Sequence, residues 1–188
     1  GSGGPYTVYS PFVKAWKAQE RRPVERAPRE IAMARIAAGR MPSLGALGFA
    51  GRAPDLEDRP EPGEDAARRA ARAWVDGQGL ARYAERRNEL AVPTSRLSAY
   101  LRFGCVSPLG LERAVAARRM ARYRDQLAWR DFFGAVALHF PHTARVEYQE
   151  RYRDLEWDDD DELLAAWRAG RTGFPVIDAA MRQLAATG

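Results

Sequence analysis

Cysteine is almost absent from this chain. A single thiol, Cys105, excludes an internal disulfide and suits a reducing compartment. Histidine is nearly as scarce: with only His139 and His142, no metal site of the usual Cys/His kind can be assembled. No run approaches the roughly 18 apolar residues that a membrane span needs. The opening residues carry no charged-apolar-small leader pattern. Internal repeats, a Gly-x-Gly-x-x-Gly turn and a nucleophile elbow are also missing, so the common signatures of dinucleotide binding and serine hydrolysis do not apply. Lysine is limited to Lys14 and Lys17, and nearly all the positive charge is arginine.

What is there is a chain of 188 residues, 46% hydrophobic and 29% charged, a balance that fits a globular protein with one good core or a piece of something larger. The net charge of +5 favours an anionic partner, with nucleic acid the natural candidate. An arginine- and alanine-rich composition can also reflect coding bias, so the position of each arginine is more informative than their total.

Gly1-Ser2-Gly3-Gly4 reads as a linker or expression remnant. From Pro5 to Phe12, β-branched and aromatic residues between prolines predict an extended segment, not a helix. Helical character follows from Val13 to Glu20, around Trp16, until Pro23 and Pro28. Residues 39–63 carry Gly and Pro every few positions and read as a linker. Order returns at Glu64, where Ala66, Ala70, Ala73 and Trp74 share one helical face and Arg68, Arg69 and Arg72 the other. A second helical piece carries Leu80, Tyr83, Ala84 and Arg87. Ser107-Pro108 is a cap with proline at the first helical position, opening a helix towards Arg119. Another helix spans 120–140 and stops at Pro141, where the two histidines read as capping or structural groups. Asp158 to Glu162 form the acidic start of a helix running to Ala169, and a last helix is expected over 176–186. The picture is all-α after a short extended lead-in.

Two stretches carry candidate chemistry. Thr94-Ser95-Arg96-Leu97-Ser98 crowds three hydroxyls and a guanidinium into a turn that opens a short helix ending at Gly104. Helix starts present unsatisfied N–H groups, so such a turn suits a phosphate or pyrophosphate. The same residue types also make a plain N-cap with a solvated arginine, and local chemistry leaves both open. On the 120–140 helix, Gln126, Trp129, Arg130 and Phe133 follow i, i+3, i+4, i+7 spacing, which predicts one face mixing amide, indole, guanidinium and phenyl. The alternative is an amphipathic margin in which arginine covers a ring.

Taken together, several runs resemble the DNA photolyase and cryptochrome family in order and spacing. They are Tyr83 and Arg87 with Thr94-Ser95-Arg96-Leu97-Ser98 and Tyr100 to Gly104; Leu127-Ala128-Trp129-Arg130-Asp131-Phe132-Phe133; and Trp167 with Gly170-Arg171-Thr172-Gly173-Phe174-Pro175 through Leu184. Tyr6 to Phe12 is similar to the end of that family's antenna domain. The resemblance implies the first half of the photolyase-type helical FAD-binding domain: residues 5–38 as the end of the antenna domain and interdomain segment, and 64–188 as the beginning of the flavin domain. It implies FAD as cofactor, an antenna chromophore of unknown kind, and DNA bearing pyrimidine dimers as substrate of a light-driven lyase. It further implies a cytoplasmic, monomeric full-length protein without membrane or metal.

By the same resemblance, Tyr83, Thr94, Ser95, Arg96, Leu97, Ser98, Tyr123 and Arg130 are flavin contacts. Arg87, Gln126, Trp129, Arg130 and Phe133 face DNA, and Trp157 is the surface member of an electron-transfer chain. One departure stands out: Gln126 occupies a position where dimer-repairing members usually carry glutamate, and an amide can hydrogen-bond a thymine edge but supplies neither proton nor charge. The rival readings are a cryptochrome-type photoreceptor, a helical DNA-binding module without flavin, and a piece inactive by itself.

Overall fold

Every regular element among the described residues is helical. The structure is a computed structural model that describes residues 3–25, 29–32, 39–48 and 60–187. Contacts divide the chain into two compact units: Gly1–Glu25 with Glu61–Glu156, and Arg26–Pro60 with Trp157–Gly188. Residues 49–59 of the expected linker lie outside the described residues.

The first unit begins with a correction. Extended backbone reaches only to Val8 (φ −129°, ψ 138°), and helix α1 runs Tyr9–Ala18. Pro11 is the third helical residue, where its missing N–H would have had no intrahelical acceptor, so it does not oppose the helix. Tertiary packing decides the rest, because helical spacing presents Tyr9, Phe12 and Trp16 to one partner. That partner is α7, Ala121–His139, where Tyr9 meets Trp129, Phe12 meets Phe132, and Trp16 donates to Asp131.

Helix α2, Glu64–Asp76, starts where the periodicity places it and keeps Arg68, Arg69 and Arg72 exposed. Ala66, Ala67 and Val75 are buried, while Ala73, expected inward, is exposed. The buried stripe is centred on Ala67 and Ala71, which moves Ala73 to its margin. The turn after α2 requires glycine for close approach: a Cβ on Gly77 would lie 2.5 Å from the Ala73 carbonyl oxygen, and one on Gly79 would lie 2.4 Å from the Trp74 ring. Short helices α3 (Gln78–Ala81), α4 (Tyr83–Arg86) and α5 (Ser98–Arg102) follow. Helix α6, Pro108–Ala117, opens as expected, with Ser107 Oγ accepting from the Gly110 N–H at 3.2 Å and Pro108 at its first position. Leu80, Leu97 and Val115 are fully buried at the centre of this unit. Burial of such a side chain contributes about 1.5–3 kcal/mol each.

Glu112 is buried as well, and it is compensated. Arg124 donates to it at 2.7 Å, and Arg21, just past α1, lies 3.9 Å from its other oxygen. A buried carboxylate persists only with such partners. The network joins α6 and α7 to the end of α1.

The second unit holds α8, Asp161–Arg168, and α9, Pro175–Thr187. The acidic run does start α8, through Asp160, whose carboxylate accepts from the N–H groups of Glu162 and Leu163. Between the helices, Asp178 reaches back and accepts from Thr172 N–H and Oγ1–H, both at 2.7 Å, and from Gly173 N–H at 3.1 Å. Gly170 (φ +62°) lets Arg182 close the other side by donating to its carbonyl at 2.8 Å. These contacts, above all the Thr172 hydroxyl, hold the Asp178 carboxyl below its ordinary pKa. A depressed folded-state pKa stabilises the turn fully above the unfolded value of about 4, and that contribution is lost as pH falls through the lower folded value. Acid titration followed by the Thr172 and Gly173 amide resonances is expected to show this loss, and Asp178→Asn to abolish it. An unchanged profile in the variant would assign the response to other carboxylates.

Candidate functional site

Proline 93 ends the preceding loop, and the chain then does something the sequence did not suggest. Arg96 takes a left-handed conformation (φ +50°), and Leu97, not a hydroxyl residue, occupies the N-cap of α5 without any side-chain cap bond. Burial explains the substitution of roles: Leu97 is 1% exposed, and placing its side chain in the core sets the path of the backbone. A non-glycine residue at such φ costs on the order of 1–3 kcal/mol, which the core contact must offset. The hydroxyls of Thr94, Ser95 and Ser98 are thereby left out of helix capping.

They line a cavity of about 750 Å³, which falls within the ~300–1,000 Å³ common for small-molecule and cofactor sites. Thr94, Ser95 and Ser98 are joined in its wall by Tyr83 of α4, Leu101 and Arg102 of α5, and Tyr123, Gln126, Leu127, Arg130, Asp131 and Gly134 of α7. The Tyr123 hydroxyl donates to Ser95 Oγ at 2.9 Å and so ties the loop to α7. Burial raises the pKa of this phenol, keeping it a neutral donor, while the bond to Ser95 opposes the shift. Tyr83 and Trp74 pack against its ring, with centroids 5.1 and 5.5 Å away.

Of the residues singled out from sequence, Tyr83, Thr94, Ser95, Ser98, Tyr123, Gln126 and Arg130 are brought together here. Leu97 is not available as a side-chain contact, because that side chain is in the core and the residue is absent from the cavity wall. Arg96 is exposed on the same loop but is not part of the cavity wall. Arg87 lies beside the site, on a small cavity of about 120 Å³ that shares Tyr83 and Thr94 with it. Trp157 is exposed and belongs to the second unit.

The largest difference concerns Trp129 and Phe133. Helical spacing alone put them on one face with Gln126 and Arg130, but the structure splits that face. Gln126 and Arg130 line the cavity, whereas the Trp129 indole stacks on Tyr9 at 3.5 Å and 5° and is followed by Phe133 at 5.4 Å. Helix α1 supplies the ring that covers the indole, and no periodicity within α7 could reveal it. Asp131 and Leu101 carry no site signal in the sequence beyond their motifs, and their place in the wall emerges only from the fold. Among the described residues, no group of three metal-ligating side chains occurs and no helix is long and apolar enough to cross a membrane.

The donor set fits a nucleotide cofactor: hydroxyls and the two guanidinium groups of Arg102 and Arg130 for phosphate, tyrosine rings and Leu127 for flat apolar surface, and an amide for an edge. The family model described as the FAD binding domain of DNA photolyase matches residues 123–188. A deoxyribodipyrimidine photo-lyase of Synechococcus sp. is 35% identical over 209 residues, covering 100% of this chain and 42% of that protein. Among solved structures, a bacterial class III photolyase from Agrobacterium tumefaciens superposes with a TM-score of 0.88 at 30% identity, over 100% of this chain and 41% of that one. A cryptochrome of Synechocystis sp. gives 0.76 at 25% identity, over 96% and 41%. The chain thus spans about two fifths of the length of these relatives. With this all-helical fold and this cavity, the chain belongs to the DNA photolyase and cryptochrome family and has the architecture of its helical FAD-binding domain.

Proposed function

We propose that the cavity holds FAD and that, in the complete protein, it serves light-driven repair of cyclobutane pyrimidine dimers in DNA, a deoxyribodipyrimidine photolyase (carbon–carbon lyase) activity. The observation that carries this reading is the gathering of hydroxyls, tyrosines, Gln126 and Arg130 around one cavity from three separate helices and a loop. Bound FAD supplies light-driven one-electron transfer. The chain supplies placement. Thr94, Ser95 and Ser98 would donate to the pyrophosphate from the loop that also carries Arg96. Tyr83 and Tyr123 form the apolar wall, and Arg130 answers phosphate. Gln126 reads the edge of a flipped-out base as a neutral amide, and Arg87, beside the cavity, contacts the DNA backbone. Trp157 is the surface-exposed electron relay. Trp129, whose ring stacks on Tyr9 of α1, and the exposed Phe133 beside it border the DNA face. We assign residues 5–38 to the interdomain segment, 39–63 to a linker and 64–188 to the flavin domain, in a monomeric cytoplasmic protein that uses no metal.

Because the chain spans about two fifths of its relatives, flavin retention by these 188 residues alone is expected to be weak. Titration with FAD, read by flavin fluorescence, checks this; a purified protein carrying stoichiometric flavin overturns it. Repair is tested by illuminating the flavin-loaded longest natural chain with a dimer-containing oligonucleotide and following recovery of pyrimidine absorbance. Gln126→Glu is expected to raise the yield. Flavin reduction without repair, in both wild type and variant, would instead establish the cryptochrome-type photoreceptor, the reading that a neutral Gln126 favours.

A further inference from the structure

Arg130 and Asp131 are sequence neighbours on α7, and side chains of neighbours leave a helix about 100° apart. Their ion pair therefore needs a reason. Asp131 divides its carboxylate: Oδ1 lies 3.3 Å from Arg130 Nη1, and Oδ2 accepts the Trp16 indole N–H at 2.9 Å. Trp16 is itself fixed. The Arg21 guanidinium lies over its ring at 4.1 Å, and α1 is pinned to α7 by Lys17 on Asp125 at 2.6 Å and by the Tyr9 hydroxyl on the Asp125 carbonyl at 3.0 Å. With one oxygen held by a rigid indole, Asp131 has only the other to offer Arg130. That places the guanidinium at the wall of the cavity that the hydroxyl loop also lines.

We propose that Trp16 and Asp131 are positioning residues: α1 fixes Asp131, and Asp131 holds Arg130 ready for a phosphate of the bound ligand. The proposal rests on the cavity reading above and extends it to a helix outside the cavity wall. Arg130 and Asp131 are each more than two fifths exposed, so the pair is screened and its effect is modest. Release of Asp131 by Trp16→Phe frees the carboxylate to follow Arg130 and draw it from the wall. The phosphate has two chemical sources, the pyrophosphate of FAD and the backbone of DNA.

The test is a double-mutant cycle on the 188-residue chain with Trp16→Phe and Arg130→Gln, after thermal melting confirms that each variant is folded. FAD and a dimer-containing oligonucleotide are titrated separately. Trp16→Phe is expected to weaken whichever ligand Arg130 contacts by about two- to five-fold, and to have no effect in the Arg130→Gln background. Equal losses in both backgrounds would overturn the proposal, because a merely structural role for Trp16 adds independently. A ligand-free arm stands beside it: the Arg130 Nε–H resonance should shift and exchange faster with solvent in Trp16→Phe, and an unchanged resonance overturns the positioning role. Should neither ligand bind the 188-residue chain measurably, as the weak retention expected above allows, the ligand-free arm alone decides whether α1 positions Arg130.

Discussion

Leu97→Ala is expected to destabilise the first unit by about 2–5 kcal/mol, the range for truncating a buried leucine. The side chain is 1% exposed and belongs to the same core as Leu80, Tyr100 and Val115. Its loss acts twice. A cavity opens, and the left-handed Arg96 that precedes it loses the contact that holds the turn. Urea denaturation should show a lower midpoint at an unchanged slope, the sign of altered stability without altered compactness. Leu97→Met conserves volume and should cost less than about 1.5 kcal/mol. FAD binding should weaken with Leu97→Ala even where the protein remains folded, since Thr94, Ser95 and Ser98 take their positions from this turn. Near-wild-type melting would mean that the loop is held by the Tyr123–Ser95 bond and not by the core.

Trp129→Ala is the second large effect, and it separates two accounts of one residue. As a ligand platform, the indole would cost roughly 1–3 kcal/mol of lesion affinity when removed, with little change in folding. As the anchor of α1, it should cost stability instead. The indole stacks on Tyr9, meets Phe132 edge-on at 5.7 Å and continues into Phe133. Removal of such a ring is expected to cost about 3 kcal/mol, and a cycle with Tyr9→Ala should show coupling of about 0.5–1.5 kcal/mol. Release of α1 should also speed tryptic cleavage after Lys14 and Lys17, which are exposed but sit in a docked helix. Unchanged melting and unchanged proteolysis would make the indole a ligand platform and not an anchor of α1.

The contrast between these two residues shows what could be read without coordinates. Leu97 entered as a ligand contact because it sits inside a motif, yet nothing in the motif says that the cap position of a five-residue helix is apolar and turned inward. Trp129 entered as part of a face because periodicity within one helix is visible in sequence, whereas the ring that covers it lies 120 positions away in the chain, at Tyr9. Pro11 misled for a related reason. Local preference describes a proline flanked by extended-type residues correctly, but a first-turn proline is also compatible with helix, and contact with α7 decided between them.

The sequence by itself determined the helical class, the extent of α7, the exposed arginine face of α2, the Ser107-Pro108 start of α6, the acidic start of α8, and the residue types of the cavity. All of these rest on interactions within about one or two helical turns, which composition and spacing record directly. Only the tertiary structure decided that the Thr94–Ser98 hydroxyls are spared from capping, that Gln126 and Arg130 face them while Trp129 turns to α1, and that Asp131 stands between Trp16 and Arg130. Those outcomes depend on which distant side chain fills a given space. Close packing settles that competition for the whole unit at once, so it leaves no local signature to read.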